Sequence, residues 1–388
     1  MELILKQYDI PLLRFSATND SSTPEIEVHW INEDQRHLLP LDMELSPEGI
    51  SRWMRRRTIP RNRAYVNRLL AKCGLNANRP IGILALCKGL SVDDSYWVVE
   101  EGFEGTFEKY NLFENRFSEV LALIAFTGYG SSNRSSLASS PEFTTNGMLP
   151  KCWRRISGKV TLYKGGTDGG YNTGAEPYCE YYAAQVAAAM GIDAIPYGLS
   201  QWKGRLCSTC ELFTDIDHAY MPIGNLVQKG GFDAVAAYYE NLGEPFQKAF
   251  RDMLVFDAVI CNTDRHYGNF GFMIDNKTNT IAAPAPLFDH GNSLFNQAGP
   301  EDYESPEAFQ QYIDTLVPCV YDDFFATAKR FMTDENREQL RKLLGFRFKR
   351  HVRYNLPPKR LKLMAEQVRK RAMRLLEREP ENVNISHI

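Results

Sequence analysis

No stretch of this 388-residue chain is apolar over the roughly 20 residues that a helix needs to cross a bilayer. A membrane-inserted helix is therefore not expected. Met1-Glu2-Leu3-Ile4-Leu5-Lys6 also lacks the basic start and small-residue cleavage site of a secretory leader, so a cytoplasmic location is expected. Charge of one sign is missing too: 45 Lys and Arg stand against 48 Asp and Glu, a formal net charge of −3. That balance excludes a global pull towards nucleic acid or anionic membrane. Cysteine is present but unorganised. Of Cys73, Cys87, Cys152, Cys179, Cys207, Cys210, Cys261 and Cys319, only Cys207 and Cys210 are closely spaced. A structural zinc site needs two further ligands, so buried, reduced thiols are the preferred reading. There is also no Gly-x-Gly-x-x-Gly phosphate loop.

What is there is an ordinary globular composition, 44% hydrophobic and 24% charged, with length for two or three domains. Residues 1–125 read as one unit of mixed structure. Ile26-Glu27-Val28-His29-Trp30-Ile31 alternates as a strand does, and Ile81 to Cys87 is an apolar run suited to burial. Between them, seven arginines fall between residues 51 and 68 with no acid. A DNA-binding helix around Ser46 to Trp53 is conceivable there, but the run carries no groove-reading signature. A solvated or interdomain basic face is the preferred reading, and direct nucleic-acid binding is not expected.

Ser131 to Ser140, rich in Ser and Asn after Gly128-Tyr129-Gly130, reads as a mobile linker into a second unit. Lys151–Ile156 and Lys159–Lys164 read as strands joined by the Ser157-Gly158 turn. Ala175 to Met190 reads as a helix stopped by Gly191, followed by a strand around Leu206 to Phe213. The remainder is mainly helical, apart from a hairpin at Phe270 to Leu287 that turns at Asp275-Asn276-Lys277. A small strand-rich layer before a larger helical body is the organisation of a bilobal kinase. The expected fold is α+β: a small α/β domain (1–125), a β-rich N-lobe (126–215) and a mainly helical C-lobe (216–388).

Phosphoryl transfer needs positioned phosphates, a metal and a carboxylate to receive the hydroxyl proton. The helix from Pro245 to Cys261 delivers the chain into Asn262-Thr263-Asp264-Arg265-His266-Tyr267-Gly268-Asn269. There a carboxylate and a carboxamide lie five residues apart, so Asp264 can face an acceptor hydroxyl while Asn269 turns to a metal. Pro286-Leu287-Phe288-Asp289-His290-Gly291 presents a second acid just after an apolar strand. One Asp and one Asn suffice for Mg²⁺, which takes few protein oxygens. In isolation Asp264 and Asn269 read as turn formers and His266 as a hydrogen-bonded structural histidine; their joint order carries the kinase reading. Lys164 ends its strand facing the inner side of the sheet, where a lysine is costly unless paired or bound to phosphate. Glu176 and Glu180 are the available acids, and Glu180 is preferred.

Asp264-Arg265-His266 with Asn269, followed by Phe288-Asp289-His290-Gly291, resembles the HipA-like serine/threonine kinases of bacterial toxin–antitoxin modules. The likeness extends over about Thr144 to Arg353. It implies ATP and Mg²⁺ as cofactors and a catalytic set of Asp264, His266, Asn269, Lys164 and Glu180. Within it Asp264 would be the base, Asn269 and Asp289 the metal ligands, and Lys164 the α/β-phosphate lysine held by Glu180. Glu211 to Phe213 would lie at the hinge beside adenine. Thr144-Thr145-Asn146-Gly147-Met148-Leu149-Pro150-Lys151 is similar to that family's Ser-x-x-Gly-x-x-x-Lys loop. Gly147 and Lys151 would then contact phosphate, and Thr144 holds the position that can be autophosphorylated. The implied partners are a protein with a Ser/Thr acceptor and a small DNA-binding antitoxin.

Three other readings compete. The catalytic loop is also similar to that of phosphatidylinositol kinases, and a small-molecule kinase shares the same base–Asn–Asp logic. A lipid kinase would use a basic surface, and residues 341–378 hold 14 Lys and Arg against two Glu. Leu361, Met364, Val368 and Leu375 make a packed C-terminal helix the preferred account of that stretch. The third is a non-catalytic DNA- or partner-binding component, against which the full set Lys164, Asp264, Asn269 and Asp289 argues.

Overall fold

The computed structural model describes residues 1–18, 24–130 and 140–377; the Ser131 to Ser139 part of the expected linker lies outside them. Alternation in the first residues forms strand β1 (Glu2–Gln7), which buries Leu3, Leu5 and Gln7. It pairs with β2 (Ile10–Ala17) and with β4 (Tyr96–Glu100), while β3 (Ile26–Ile31) forms one edge, in the order β3-β2-β1-β4. Helix Pro47–Arg56 starts at Ser46, whose hydroxyl accepts the Gly49 N–H at 3.0 Å, and it buries Ile50, Trp53 and Met54. The apolar run at Ile81 is a helix, Pro80–Cys87, opened by proline at its first position and closed by Lys88 at φ 55°.

Several arginines of the basic stretch are held in place by partners. Arg56 pairs with Asp42 at 2.8 Å, Arg57 with Asp94 at 2.7 Å and Arg63 with Glu142 at 2.5 Å. Arg68 donates to the Gly128 carbonyl at 2.9 Å. Arg63 and Arg68 therefore reach beyond residue 125, while Arg52, Arg55 and Arg61 are exposed. Helix Glu119–Thr127 contains the expected boundary at residue 125. Its Phe126 packs in one cluster with Leu69 and Leu70 on one side and with Phe143, Cys152 and Cys207 on the other.

The N-lobe sheet runs β5 (Lys151–Ile156), β6 (Lys159–Gly165), β8 (Arg205–Glu211), β7 (Gly198–Trp202), all antiparallel. Ser157 (φ 50°) and Gly158 (φ 85°) turn β5 into β6 with the left-handed backbone that suits a two-residue hairpin. Cys207 and Cys210 lie three apart on β8, so they point to opposite faces. Helix Glu176–Met190 packs beside this sheet, and Gly191 (φ 80°) ends it by donating to Ala187 O at 2.9 Å.

The larger lobe is helical around one hydrophobic cluster that holds Val186, Met190, Phe250, Phe256, Phe309, Leu340 and Met364. Helix Phe246–Ile260 runs through it and ends at Cys261 (φ 53°). A three-stranded sheet follows the N-lobe sheet: β9 (His218–Pro222), β10 (Gly271–Asp275) and β11 (Thr280–Pro284), in the order β11-β10-β9. The hairpin β10–β11 matches the sequence reading. Strand β9 does not, because its partner lies some fifty residues on and its five residues carry no clear alternation. Helix Pro358–Leu376 buries Leu361, Met364, Val368 and Leu375, and its Arg371 donates to Ala258 O at 2.6 Å. No helix of the described residues is long and apolar enough to cross a membrane.

Candidate active site

In the β5–β6 ladder, Lys151 and Lys164 are directly opposite. Like charges in that position repel, and both side chains are buried, so the pair demands anions. Lys164 has two. Its Nζ donates to Glu180 Oε1 at 2.7 Å and to Asp289 Oδ1 at 2.5 Å. Glu176, the other candidate acid, is held instead by the Thr167 hydroxyl and, at 3.3 Å, by the Thr167 N–H. Burial alone would strip the Lys164 proton, but Asp289 and Glu180 outweigh it and hold the ammonium well above the usual lysine range. Burial likewise opposes ionisation of Asp289, yet Lys164 and Lys151 hold its carboxyl well below the usual range. Lys151 has no carboxylate to itself. Its Nζ donates to the Asn146 carbonyl at 2.9 Å, and burial followed by repulsion from Lys164 lowers its pKa to about 7.

The loop bearing Asp289 is fixed from several directions. Leu287 bridges in parallel to Ala194, with Ile195 N–H donating to Leu287 O at 2.8 Å. Asp289 itself sits at φ 56°, and its N–H donates to the Tyr197 hydroxyl at 3.1 Å. The next N–H, of His290, donates to Glu180 Oε2 at 2.7 Å, so one carboxylate orients both Lys164 and the loop. A Cβ at Gly291 would lie 3.3 Å from Glu176 Cβ and 3.4 Å from Glu180 Oε1, which explains the small residue there.

The catalytic-loop candidates depend on Arg265, which is 1% exposed on its side chain. Asp257, in the helix Phe246–Ile260 and wholly buried, accepts from Arg265 Nε at 2.9 Å and Nη2 at 3.0 Å. The same guanidinium donates to Asn269 O at 3.2 Å and Phe288 O at 2.6 Å. It thereby ties the loop of Asp264 and Asn269 to the residue preceding Asp289. Its Nη2 also meets His290 Nδ1 at 3.0 Å, and burial with the nearby guanidinium keeps that imidazole neutral. Asp264 is half-buried, its N–H donating to Asn262 Oδ1 at 3.2 Å and its Oδ2 accepting from Asn292 Nδ2 at 2.8 Å. Asn269 is buried and donates to Asp264 O at 3.3 Å.

Two expected residues are placed differently. His266 is exposed and its Nδ1 accepts the Gly268 N–H at 3.0 Å, so it shapes the turn and makes no contact with the Lys164 cluster. The Glu211 carboxylate faces solvent and pairs with Lys159 at 2.7 Å, so only its backbone is available at the hinge. Phe213 does face the cleft, with ring centroids 5.3 Å from Phe288 and 5.5 Å from Tyr220. In the segment expected to contact phosphate, an added Cβ on Gly147 (φ 90°) would fall 2.2 Å from Lys151 Nζ. Thr144 is buried and donates to Leu90 O at 2.9 Å.

The partners Asp257, Asn292 and Tyr197 escaped the sequence reading. Only Asp257 left a signal, as an acid inside the apolar run Met253 to Ile260. Among the described residues no group of three or more His, Cys, Asp or Glu forms a resident metal site. Asn269 and Asp289, joined through Arg265, fit an Mg²⁺ that arrives with phosphates and needs only one or two protein oxygens.

No family model matches the chain. A curated relative, the serine/threonine-protein kinase CtkA of Helicobacter pylori, is 27% identical over 135 residues, which is 31% of this chain and 41% of that protein's length. The crystal structure of the H. pylori proinflammatory kinase CtkA aligns over 60% of this chain and 90% of its own, at 16% identity and a TM-score of 0.47. HipA of Shewanella oneidensis MR-1, solved with HipB and operator DNA, aligns over 96% of this chain and 97% of its own, at 13% identity and a TM-score of 0.51. The chain therefore shares its fold with that HipA structure over nearly its whole length.

Replacing Arg265 by Met should destabilise the protein by about 3–5 kcal/mol, because Asp257 is left buried and unpaired. The double replacement Arg265→Met with Asp257→Leu should recover much of that loss. Denaturant midpoints at unchanged slope would measure both.

Proposed function

We propose that the chain is an ATP- and Mg²⁺-dependent kinase that phosphorylates a Ser or Thr hydroxyl of a protein. The carrying observation is the Lys164 ammonium held between Glu180 and Asp289 while Asp264 lies on a loop bound to the same scaffold. Lys164 and Lys151 would bind ATP phosphates, with Gly147 letting the loop backbone approach. Asn269 and Asp289 would hold Mg²⁺, which neutralises phosphate charge when bound. Phe213, Tyr220 and Phe288 would flank adenine. The acceptor oxygen then bonds to the γ-phosphorus, the bond from that phosphorus to the β-bridging oxygen breaks, and Asp264 takes the hydroxyl proton. Asn292 keeps the Asp264 carboxylate aimed.

A protein acceptor is supported by the description of the matched relative as a serine/threonine-protein kinase. A small DNA-binding antitoxin as partner is supported by the HipA neighbour, which was solved with HipB and operator DNA. Units 1–125, 126–215 and 216–388 and a cytoplasmic location remain parts of this proposal. Autophosphorylation at Thr144 belongs to it as well. It requires the loop to leave its seat, because the Thr144 hydroxyl is buried against Leu90.

Asp264→Asn should lower phosphoryl transfer from γ-labelled ATP by ~10²–10⁴ while Mg·ATP affinity is kept. Asp289→Asn should weaken Mg·ATP binding itself; near-normal turnover by Asp264→Asn would remove the assigned base. Lys151 supplies a pH signature. With its pKa lowered to about 7, it is mostly neutral at pH 8, and phosphate binding favours its ammonium form. Calorimetry in buffers of different ionisation heat should therefore show proton uptake on ATP binding at pH 8. Little should appear at pH 6, where Lys151 is already protonated, and Lys151→Met should abolish it. Phosphopeptide mapping after ATP incubation should find label on the 140–151 segment; its absence would discard Thr144 as a modification site.

A further inference from the structure

The N-terminal unit is more than an appendage, because its side chains reach the loop that the kinase reading assigns to phosphate. Arg63 and Glu142 form a fully buried pair, each side chain 0% exposed, at 2.5 Å. The guanidinium also donates to the carbonyls of Glu142, of Thr145 at 3.4 Å and of Lys151 at 2.9 Å. Glu142 Oε1 accepts the Trp153 N–H at 2.8 Å, so the pair is anchored in β5 too. Arg63 thus holds the entry of the loop (Glu142) and its exit (Lys151) at once. Two further bonds come from the same unit: the Ala64 N–H donates to Met148 O at 2.9 Å, and Thr144 donates to Leu90 O at 2.9 Å.

We infer that Arg63 is a positioning residue for nucleotide phosphates, and that the N-terminal unit sets the affinity for ATP by clipping the two ends of the phosphate loop. Fixing one end would leave the loop free to swing. Fixing both determines where Gly147 and the Lys151 ammonium lie opposite Lys164. A loop already seated has little conformational freedom left to lose on binding, which raises affinity. By reciprocity, ATP in its place stabilises the contact between the N-terminal unit and the loop. This inference rests on the kinase reading, and it would make the N-terminal unit part of the nucleotide site.

The test compares Mg·ATP with adenosine, which lacks phosphates, by calorimetry on the full-length protein. Arg63→Ala should weaken Mg·ATP binding about tenfold, a typical coupling between distinct sites, and leave adenosine binding unchanged. Arg63→Lys should fall between, since it keeps the charge and loses the fork. Should Arg63→Ala fail to fold, Arg63→Lys and Thr144→Val, which deletes one loop contact, should each weaken Mg·ATP several-fold and spare adenosine. Leu375→Ala, in the distant helical core, serves as the control for lost stability and should lower the melting temperature without changing either affinity. Unchanged Mg·ATP affinity in the Arg63 variants, or equal losses for ATP and adenosine, would overturn the inference while the kinase reading stands. A wild-type protein that binds no Mg·ATP would overturn both.

Discussion

One ammonium group joins the three parts that must meet for this site to exist. Lys164 comes from the N-lobe sheet, Glu180 from the helix beside it and Asp289 from a loop of the helical lobe. Removing these charges from water is expensive, and the attraction offsets that cost only when every partner is in place. The site is therefore demanding of geometry: a shift of the helix or the loop would leave a buried charge uncompensated. Glu180 lowers that risk by also accepting the His290 N–H, so that loop and lysine share one anchor.

The same device recurs at each seam of the molecule. Arg57 with Asp94 closes the N-terminal unit, Arg63 with Glu142 ties that unit to the segment before β5, and Arg265 with Asp257 ties helix Phe246–Ile260 to the loops of Asp264 and Asp289. In each case arginine contacts carbonyls as well as a carboxylate, which uses its planar five-donor fork as lysine could not. Such pairs contribute little to net stability, yet removing one partner is costly because the other is left buried and uncompensated. Helix and strand surfaces supply the hydrophobic burial, and the arginines specify which loops meet.

Against this arrangement, the legible part of the sequence was its local chemistry. Ser157-Gly158 announced a hairpin because glycine readily takes the left-handed backbone of such a turn. Gly191 announced a helix end for the same reason. Lys164 was conspicuous because its strand alternation put a charge inward, and Asp264, Asn269 and Asp289 stood in the order that a phosphoryl-transfer site requires. Less legible were positions where a residue type has no unique use. His266 could have been chemical or structural, and it closes a turn. Glu211 was assigned by position, and its side chain is turned to Lys159.

Sequence alone determined β5, β6, β8, the β10–β11 hairpin and the helix end at Gly191, because backbone preference is a local property. It could not determine that Arg63 grips Glu142, 79 residues on, or that Asn292 steadies Asp264 from 28 residues away. Nor could it decide that Thr144 is buried, since a threonine is at home on either side of a surface. Those outcomes depend on which surfaces come together in the folded chain. Only the tertiary structure brought a basic stretch in the N-terminal unit against both ends of the segment from Glu142 to Lys151.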